Sequence, residues 1–371
     1  MARRKKKQSA VANQWQLMRW RFLKHKVAVI SLIIVIILYF IAAFCEFLAP
    51  NLASKYSSKY MYAPPMKLGL IVRDENGSAH LQLHVKGYTA TLNKTSGRME
   101  YTTDEDHIIP IRFFVHRDPY KLWGLFETDI HLFGPEDTSQ PFYLWGTDRM
   151  GHDLFSRILY GARISLSIGL IGVFLSLFLG ILLGGLSGYY GGRIDNLIQR
   201  LIEVVQSVPA IPLWMAIAAA VPKEWSIVKT YFAMTLILSF INWTGLARVV
   251  RGRFMSLKSE DFVTVARLNG CSKLKIIFKH MLPSFLSHII AQVTLSIPRM
   301  IISETSLSYL GLGLRDPAIS WGVLLQDAQS IKVITQAPWL LIAPTLFIVI
   351  SVLSMNFLGD GLRDSADPYN T

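Results

Sequence analysis

Six stretches of roughly 20 mostly apolar residues dominate the sequence, and each is long enough to cross the ~30 Å hydrocarbon core of a bilayer as one helix. They run approximately from Val27 to Leu48, Ser165 to Ser187, Leu201 to Val221, Val228 to Leu246, Ser284 to Ser303 and Ala337 to Leu358. A chain so built has few folds open to it, because in lipid every backbone N–H and C=O must find its partner inside the protein. Helices meet that demand within themselves, so the sequence predicts an all-α polytopic membrane protein with six transmembrane helices. Composition agrees: 51% of 371 residues are apolar and 17% charged, more apolar than a soluble domain carries. Pro209 and Pro212 interrupt the third stretch and Pro222 closes it, so its continuity is the weakest.

The net charge of +13 would point to nucleic acid in a soluble protein, but its placement points to a lipid surface instead. Nine Lys/Arg and no Asp/Glu fall in residues 1–26, immediately before the first apolar stretch. This asymmetry places the N-terminus in the cytoplasm. The first apolar stretch is too long for a secretory signal, and no small-residue cleavage site follows it. Six crossings return the tail, 359–371, to the cytoplasm. They also put the loop 248–283 inside, where Arg248 to His280 carry eight Lys/Arg against two acids. Cys45 and Cys271 then fall on opposite sides of the membrane and cannot pair.

The segment 49–145 is polar and nearly charge-balanced, with ten Lys/Arg against eleven Asp/Glu from Pro50 to Trp145. It is read as an extracytoplasmic insertion domain rich in β-structure. His80-Leu81-Gln82-Leu83-His84-Val85 alternates as a half-exposed strand does, and Glu75-Asn76-Gly77-Ser78 supplies a hairpin turn. The remaining residues, 146–358, form the core with five more spans. Gly180, Gly184, Gly188 and Gly192 recur every four residues, a spacing that lets a neighbouring helix approach closely.

The loop 248–283 carries the most pointed pattern. Ser259 is placed to cap a helix whose positive end suits Glu260 and Asp261. Phe262, Val265 and Ala266 share a face, and Gly270 is positioned as a left-handed stop. Ser272 is placed to cap a second helix with Leu274, Ile277, Phe278 and Met281 in one stripe. A helix, a tight turn and a second helix form a knob that either lies in the lipid headgroups or inserts into a groove on another protein.

This loop resembles the coupling loop of ATP-binding cassette importer permeases: Glu-Ala-Ala, three residues, Gly, nine residues, Ile, one residue, Leu-Pro. Thr264, Val265 and Ala266 take the first three places, with Arg267 following; Gly270 takes the glycine, His280 the isoleucine, and Leu282 and Pro283 the end. His at that place is usual in the dipeptide, oligopeptide and nickel branch. Further segments resemble the same branch: Gly146 to Ser167, Ser187 to Pro212, Glu304 to Gly322 and Asn356 to Pro368. The large insertion and Glu203 are similar to the YejE type within it. The resemblance implies a type I importer permease of the bacterial inner membrane, forming half of a translocation pathway for di- or oligopeptides, with oligosaccharides or nickel as alternative cargo. It implies a second permease subunit, two cytoplasmic ATPases that use ATP and Mg, and an extracytoplasmic solute-binding protein. Glu260 and Asp261 through Pro283 would be the ATPase-coupling residues.

Outside that loop, Asp148 is placed to cap a helix in which Asp153 and Arg157 pair at i,i+4, a solvated helix, an outside gate or a docking surface for a substrate-binding protein. Arg299 is costly facing lipid and either lines a pathway or gate or snorkels to the interface, with Glu304 five residues on. The sequence contains no phosphate-binding Gly-x-x-x-x-Gly-Lys-[Ser/Thr] loop, zinc-binding His-Glu-x-x-His or nucleophile elbow. The chain is therefore expected to be no enzyme and to bind no cofactor or metal of its own. An ion-coupled secondary transporter would carry buried carboxylates in paired half-repeats, and neither is evident.

Overall fold

A computed structural model describes residues 14–73, 79–93, 98–222 and 224–366. In chain order its main elements are helices α1 (Gln14–Lys24) and α2 (Lys26–Ala43) and strands β1 (Leu68–Arg73), β2 (Ala79–Asn93), β3 (Arg98–Pro110), β4 (Arg112–Leu122) and β5 (Phe126–Gly134). Then follow helices α3 (Leu154–Tyr190), α4 (Gly192–Ser207), α5 (Ala210–Ala219), α6 (Ile227–Leu257), α7 (Asp261–Leu268), α8 (Leu286–Tyr309) and α9 (Trp339–Ala366). They group into two compact units. One comprises Met1–Ile36, Ser167–Leu307 and Ile350–Thr371, the other Ile37–Leu166 and Ser308–Val349.

Five helices, α2, α3, α6, α8 and α9, are long and apolar enough to cross a membrane, and α4 with α5 makes a sixth candidate bent by 84°. The bend falls in the third stretch, Leu201 to Val221, where Pro209 and Pro212 were expected to interrupt it. Its cause is local: Val208 precedes Pro209 and is pushed to an extended conformation, φ −95° and ψ 133°. Neither piece suffices alone, since the 10 residues of α5 rise only about 15 Å. The first span is also shorter than expected. It stops at Ala43, Phe44 leaves helical geometry, and a separate turn, Cys45–Leu48, follows. By contrast α3, with 37 residues, is about 55 Å long and must project well beyond a ~30 Å core.

In the first unit, α2 begins where His25 breaks the chain from α1, and His25 Nδ1 accepts the Ala28 N–H at 3.2 Å. Ala28 is fully buried, and a Cβ at Gly361 of α9 would lie 2.2 Å from the Ala28 Cβ. Three of the four spaced glycines bring α3 against α6. A Cβ at Gly180 would strike Leu246, at Gly184 the Ala247 carbonyl, and at Gly188 the Arg251 carbonyl. Gly192 does not join them; its φ of +55° opens α4 instead.

In the second unit, β1, β2 and β3 form an antiparallel sheet in that order, and β4 pairs with β5. The alternation at residues 80–85 does lie within a strand, β2, with Val85 fully buried and Leu81 exposed. The turn expected at Glu75 to Ser78 lies outside the described residues. Val85, Tyr88, Ile109 and Ile111 pack with Ala63, Met66 and Phe142 into this unit's core. Gly69 is required in β1, because a Cβ there would lie 2.3 Å from His84 Nε2.

Candidate functional site: the elbow after α6

The elbow grows from the end of α6, where Phe254 is fully buried. Helix α7 starts one residue later than expected: Glu260 is the N-cap and makes no side-chain cap bond, while the Ser259 hydroxyl donates back to the Ser256 carbonyl at 3.2 Å. Asp261 keeps its place in the first turn, where the helix dipole favours it. The buried face differs too. Val263 and Ala266 point inward, at i and i+3, and Phe262 and Val265 are exposed. Phe262, Val265 and Ala266 do stand at i, i+3 and i+4 of one helix, but of the three only Ala266, at the edge of that face, is turned to the support.

Helix α7 ends as Gly270 predicts. Gly270 has φ +71°; its N–H donates to the Arg267 carbonyl at 3.0 Å and the Cys271 N–H to the Ala266 carbonyl at 3.1 Å. Those two bonds are the Schellman closure, which satisfies carbonyls that a helix end leaves orphaned. Ser272 then caps the next segment, accepting the Lys275 N–H at 3.4 Å. That segment passes from Lys273–Lys275 into a π-helical turn, Ile276–Met281, where the Leu282 N–H reaches the Ile277 carbonyl. The wider turn accommodates Pro283, which has no N–H to continue an α-helical ladder. Lys273 Nζ lies 4.9 Å from the centre of the Tyr190 ring at the end of α3.

Beneath the elbow, Tyr189, Leu246, Val250, Phe254, Val263, Ala266, Ile276, Ile277, Met281, Phe285 and Ile289 form one apolar core. Full burial of a side chain such as Ile277 contributes about 1.5–3 kcal/mol. The same elbow forgoes that gain at Phe262, Val265, Leu268, Leu274 and Phe278, which stay exposed, Leu268 at 82%. Five exposed large apolar side chains on so short a segment mark a surface made for contact. Glu260, Asp261, Thr264, Arg267 and Pro283 are also exposed, Leu282 and His280 are half-buried, and His280 Nε2 has no hydrogen-bond partner among the described residues.

Sequence reasoning missed the brace behind the elbow. Arg251 of α6 grips Asp195 of α4 through Nε and Nη2, both at 2.6 Å, and the Ser187 hydroxyl donates to the same carboxylate at 2.5 Å. The two residues are 56 positions apart, beyond any helical spacing rule.

In the second unit, Asp148, Asp153 and Arg157 do lie together, but not as spaced. Arg157 bonds Asp148 and, at 3.0 Å, Asp316. Asp153, not Asp148, caps α3, accepting the Ser156 N–H at 3.2 Å and hydroxyl at 2.5 Å. Asp148 closes the turn before it, accepting the Met150 and His152 N–H groups at 2.8 and 2.9 Å. All three are buried, correcting the solvated helix. Burial opposes both charges, yet the His152 and Arg157 bonds hold the Asp148 carboxyl down at about 2. Asp153 lacks a cation so close, and burial pushes it up to about 6.

Arg299 of α8 lines a small cavity in the first unit with Ser176, Asn242, Gln292, Ser296 and Met300. Glu304 is buried and does not line that cavity.

Residues 176–369 match the family described as binding-protein-dependent transport system inner membrane component, and residues 13–65 match the N-terminal TM domain of oligopeptide transport permease C. The oligopeptide transport system permease protein OppC of Haemophilus influenzae is 37% identical over 242 residues, 65% of this chain and 75% of that one. OppC of Salmonella typhimurium is 39% identical over 249 residues, 66% and 78% of the two chains. The dipeptide transport system permease protein DppC of Bacillus subtilis is 36% identical over 224 residues, 60% and 68%. The elbow lies inside the matched family region, and this chain belongs to the family of binding-protein-dependent transport system inner membrane components, the permease subunits of ATP-binding cassette importers, which are transport components and not enzymes.

Proposed function

We propose that this chain forms half of a peptide-import pathway and that its elbow, Ser259 to Pro283, receives the stroke of a cytoplasmic ATPase. The observation that carries this reading is the division of the elbow into a buried apolar root and an exposed apolar tip. Val263 and Ala266 fix the tip to Phe254, Ile276 and Ile277; Phe262, Val265 and Leu268 remain free for a groove on a partner. Force applied at α7 would pass through this root to α6, whose glycine-lined contact with α3 leaves little slack.

Two ATPase subunits would supply the ATP and Mg chemistry, a second permease subunit the other half of the pathway, and a solute-binding protein the cargo. Di- or oligopeptides are the cargo this reading favours, since the similar permeases from Haemophilus influenzae and Bacillus subtilis are named for oligopeptide and dipeptide transport. The basic residues before α2 and those from Arg248 to His280 support an inner-membrane topology with both termini and the elbow in the cytoplasm and the strands β1 to β5 outside. In that arrangement Arg299 faces the pathway. Asp148, Asp153 and Arg157, bonded within the chain, and the buried Glu304 serve as architecture.

Gly270 provides the test. Nothing lies within 4 Å of a Cβ there, so a side chain is opposed only by the left-handed backbone, at about 1–2 kcal/mol. Gly270→Val should leave membrane insertion intact while cutting ATPase copurification and peptide uptake at least severalfold. Retention of both at wild-type levels would remove the coupling role.

A further inference from the structure

The cavity beside Arg299 has a chemistry that the pathway role alone does not explain. Gln292, Ser296 and Arg299 stand at i, i+4 and i+7 on α8, making one polar stripe on a mostly apolar helix. Ser176 of α3 and Asn242 of α6 face the same space. Three helices thus converge neutral hydrogen-bonding groups around a single guanidinium. No acidic residue lines the cavity. Ser176 has its hydroxyl proton engaged by the Ser239 carbonyl at 3.1 Å, and Ser296 its own by the Gln292 carbonyl at 2.9 Å. Asn242 donates one amide N–H to Met300 Sδ at 3.6 Å, so the groups left to donate are the guanidinium, the Gln292 amide and the second N–H of Asn242, an arrangement suited to an anion.

Shape narrows the anion. A planar guanidinium matches a carboxylate through two parallel bonds. The volume beside Arg299, whose side chain is itself exposed, is about 50 Å³, room for a few waters or one small planar group and far too little for a whole peptide. Val173, Leu177 and Leu246 form the apolar walls. Peptides of differing sequence share few features other than their ends.

We infer that Arg299, with Asn242 and Gln292, is a carboxylate-recognising station that holds the C-terminal end of a peptide during passage. The inference rests on the peptide reading above and adds to it a specificity residue inside the membrane.

The test uses the complete transporter in liposomes with its solute-binding protein, and one peptide made with a free C-terminus and with a C-terminal amide. Affinities of the solute-binding protein for both forms are measured separately. The wild-type complex should favour the free form about tenfold beyond the ratio of those affinities. Arg299→Gln and Arg299→Met should abolish this excess, and Arg299→Lys should keep part of it. Because one solute-binding protein serves every variant, a changed ratio originates in the permease. If the wild-type excess is absent, or survives in the neutral variants, the station does not exist and the peptide reading stands. If the wild-type complex imports neither form, the peptide reading fails and takes the station with it.

Discussion

In the elbow, Val263, Ala266, Ile276 and Ile277 are buried and every charged residue from Glu260 to Lys279 is exposed. At the head of α3 the arrangement is reversed, with Asp148, Asp153 and Arg157 buried among the bonds of Asn51, His152, Ser156 and Asp316. The contrast separates two uses of polar residues. Charges bonded inside the chain fix its geometry and, being buried, are not presented to a partner. An apolar root with an uncovered apolar and charged tip holds its shape by packing and reserves its surface for a second protein.

Substitutions can break this contrast, and the largest effect is expected at the buried charges. Arg157→Ala leaves Asp148 without its cation and should destabilise the protein by about 3–5 kcal/mol. Thermal unfolding in nanodiscs would measure this; a change below about 1 kcal/mol would mean that the cluster is solvated after all.

Within the same cluster the two aspartates should respond oppositely to pH. Asp148 has its folded pKa lowered to about 2, so its contribution is present above its unfolded value near 4 and is lost as pH falls through 2. Asp153 is raised to about 6, so its protonated form adds stability below the unfolded value near 4, and that contribution is lost as pH rises through 6. Asp153→Asn should therefore be neutral or stabilising by about 1 kcal/mol at pH 7, whereas Asp148→Asn should destabilise. Unfolding midpoints between pH 3 and 8 would read both slopes; equal slopes would show that the two environments are alike.

The smallest effect on stability belongs to the tip. Leu268→Ser changes an exposed side chain and should shift stability by less than about 0.5 kcal/mol, yet it should weaken ATPase copurification. Loss of stability with intact copurification would make Leu268 part of the root.

Much of this was legible in the sequence, and what was not has definite causes. The spans, the strand through residues 80–85 and the Gly270 stop follow from local rules: length, alternation and the left-handed preference of glycine. Ser272 as a cap is equally local. The prolines marked the break in the third span but not its size: Val208 before Pro209 turns the chain by 84°, and a hydropathy window does not register direction. Asp153 and Arg157 have the spacing of an ion pair, but Asp148 and Asp316, from the preceding turn and a distant loop, outcompete that pairing. Which face of α7 is buried, that of Val263 and Ala266, was not legible because the support, Phe254 and Ile277, is assembled from other elements. The Asp195–Arg251 brace depends on α3 and α6 closing over glycines, a contact that no short window contains.

The central claim is that the tip of the elbow is the place where a separate ATPase pushes. A single cysteine at Leu268, in a background with Cys45 and Cys271 replaced, tests it in inside-out membrane vesicles containing the assembled transporter. Cross-linking from that cysteine to an ATPase subunit, changing in yield when ATP is added, is the result predicted. Absence of any such cross-link, together with labelling of the cysteine by an impermeant reagent from the outside of intact cells, would contradict the account.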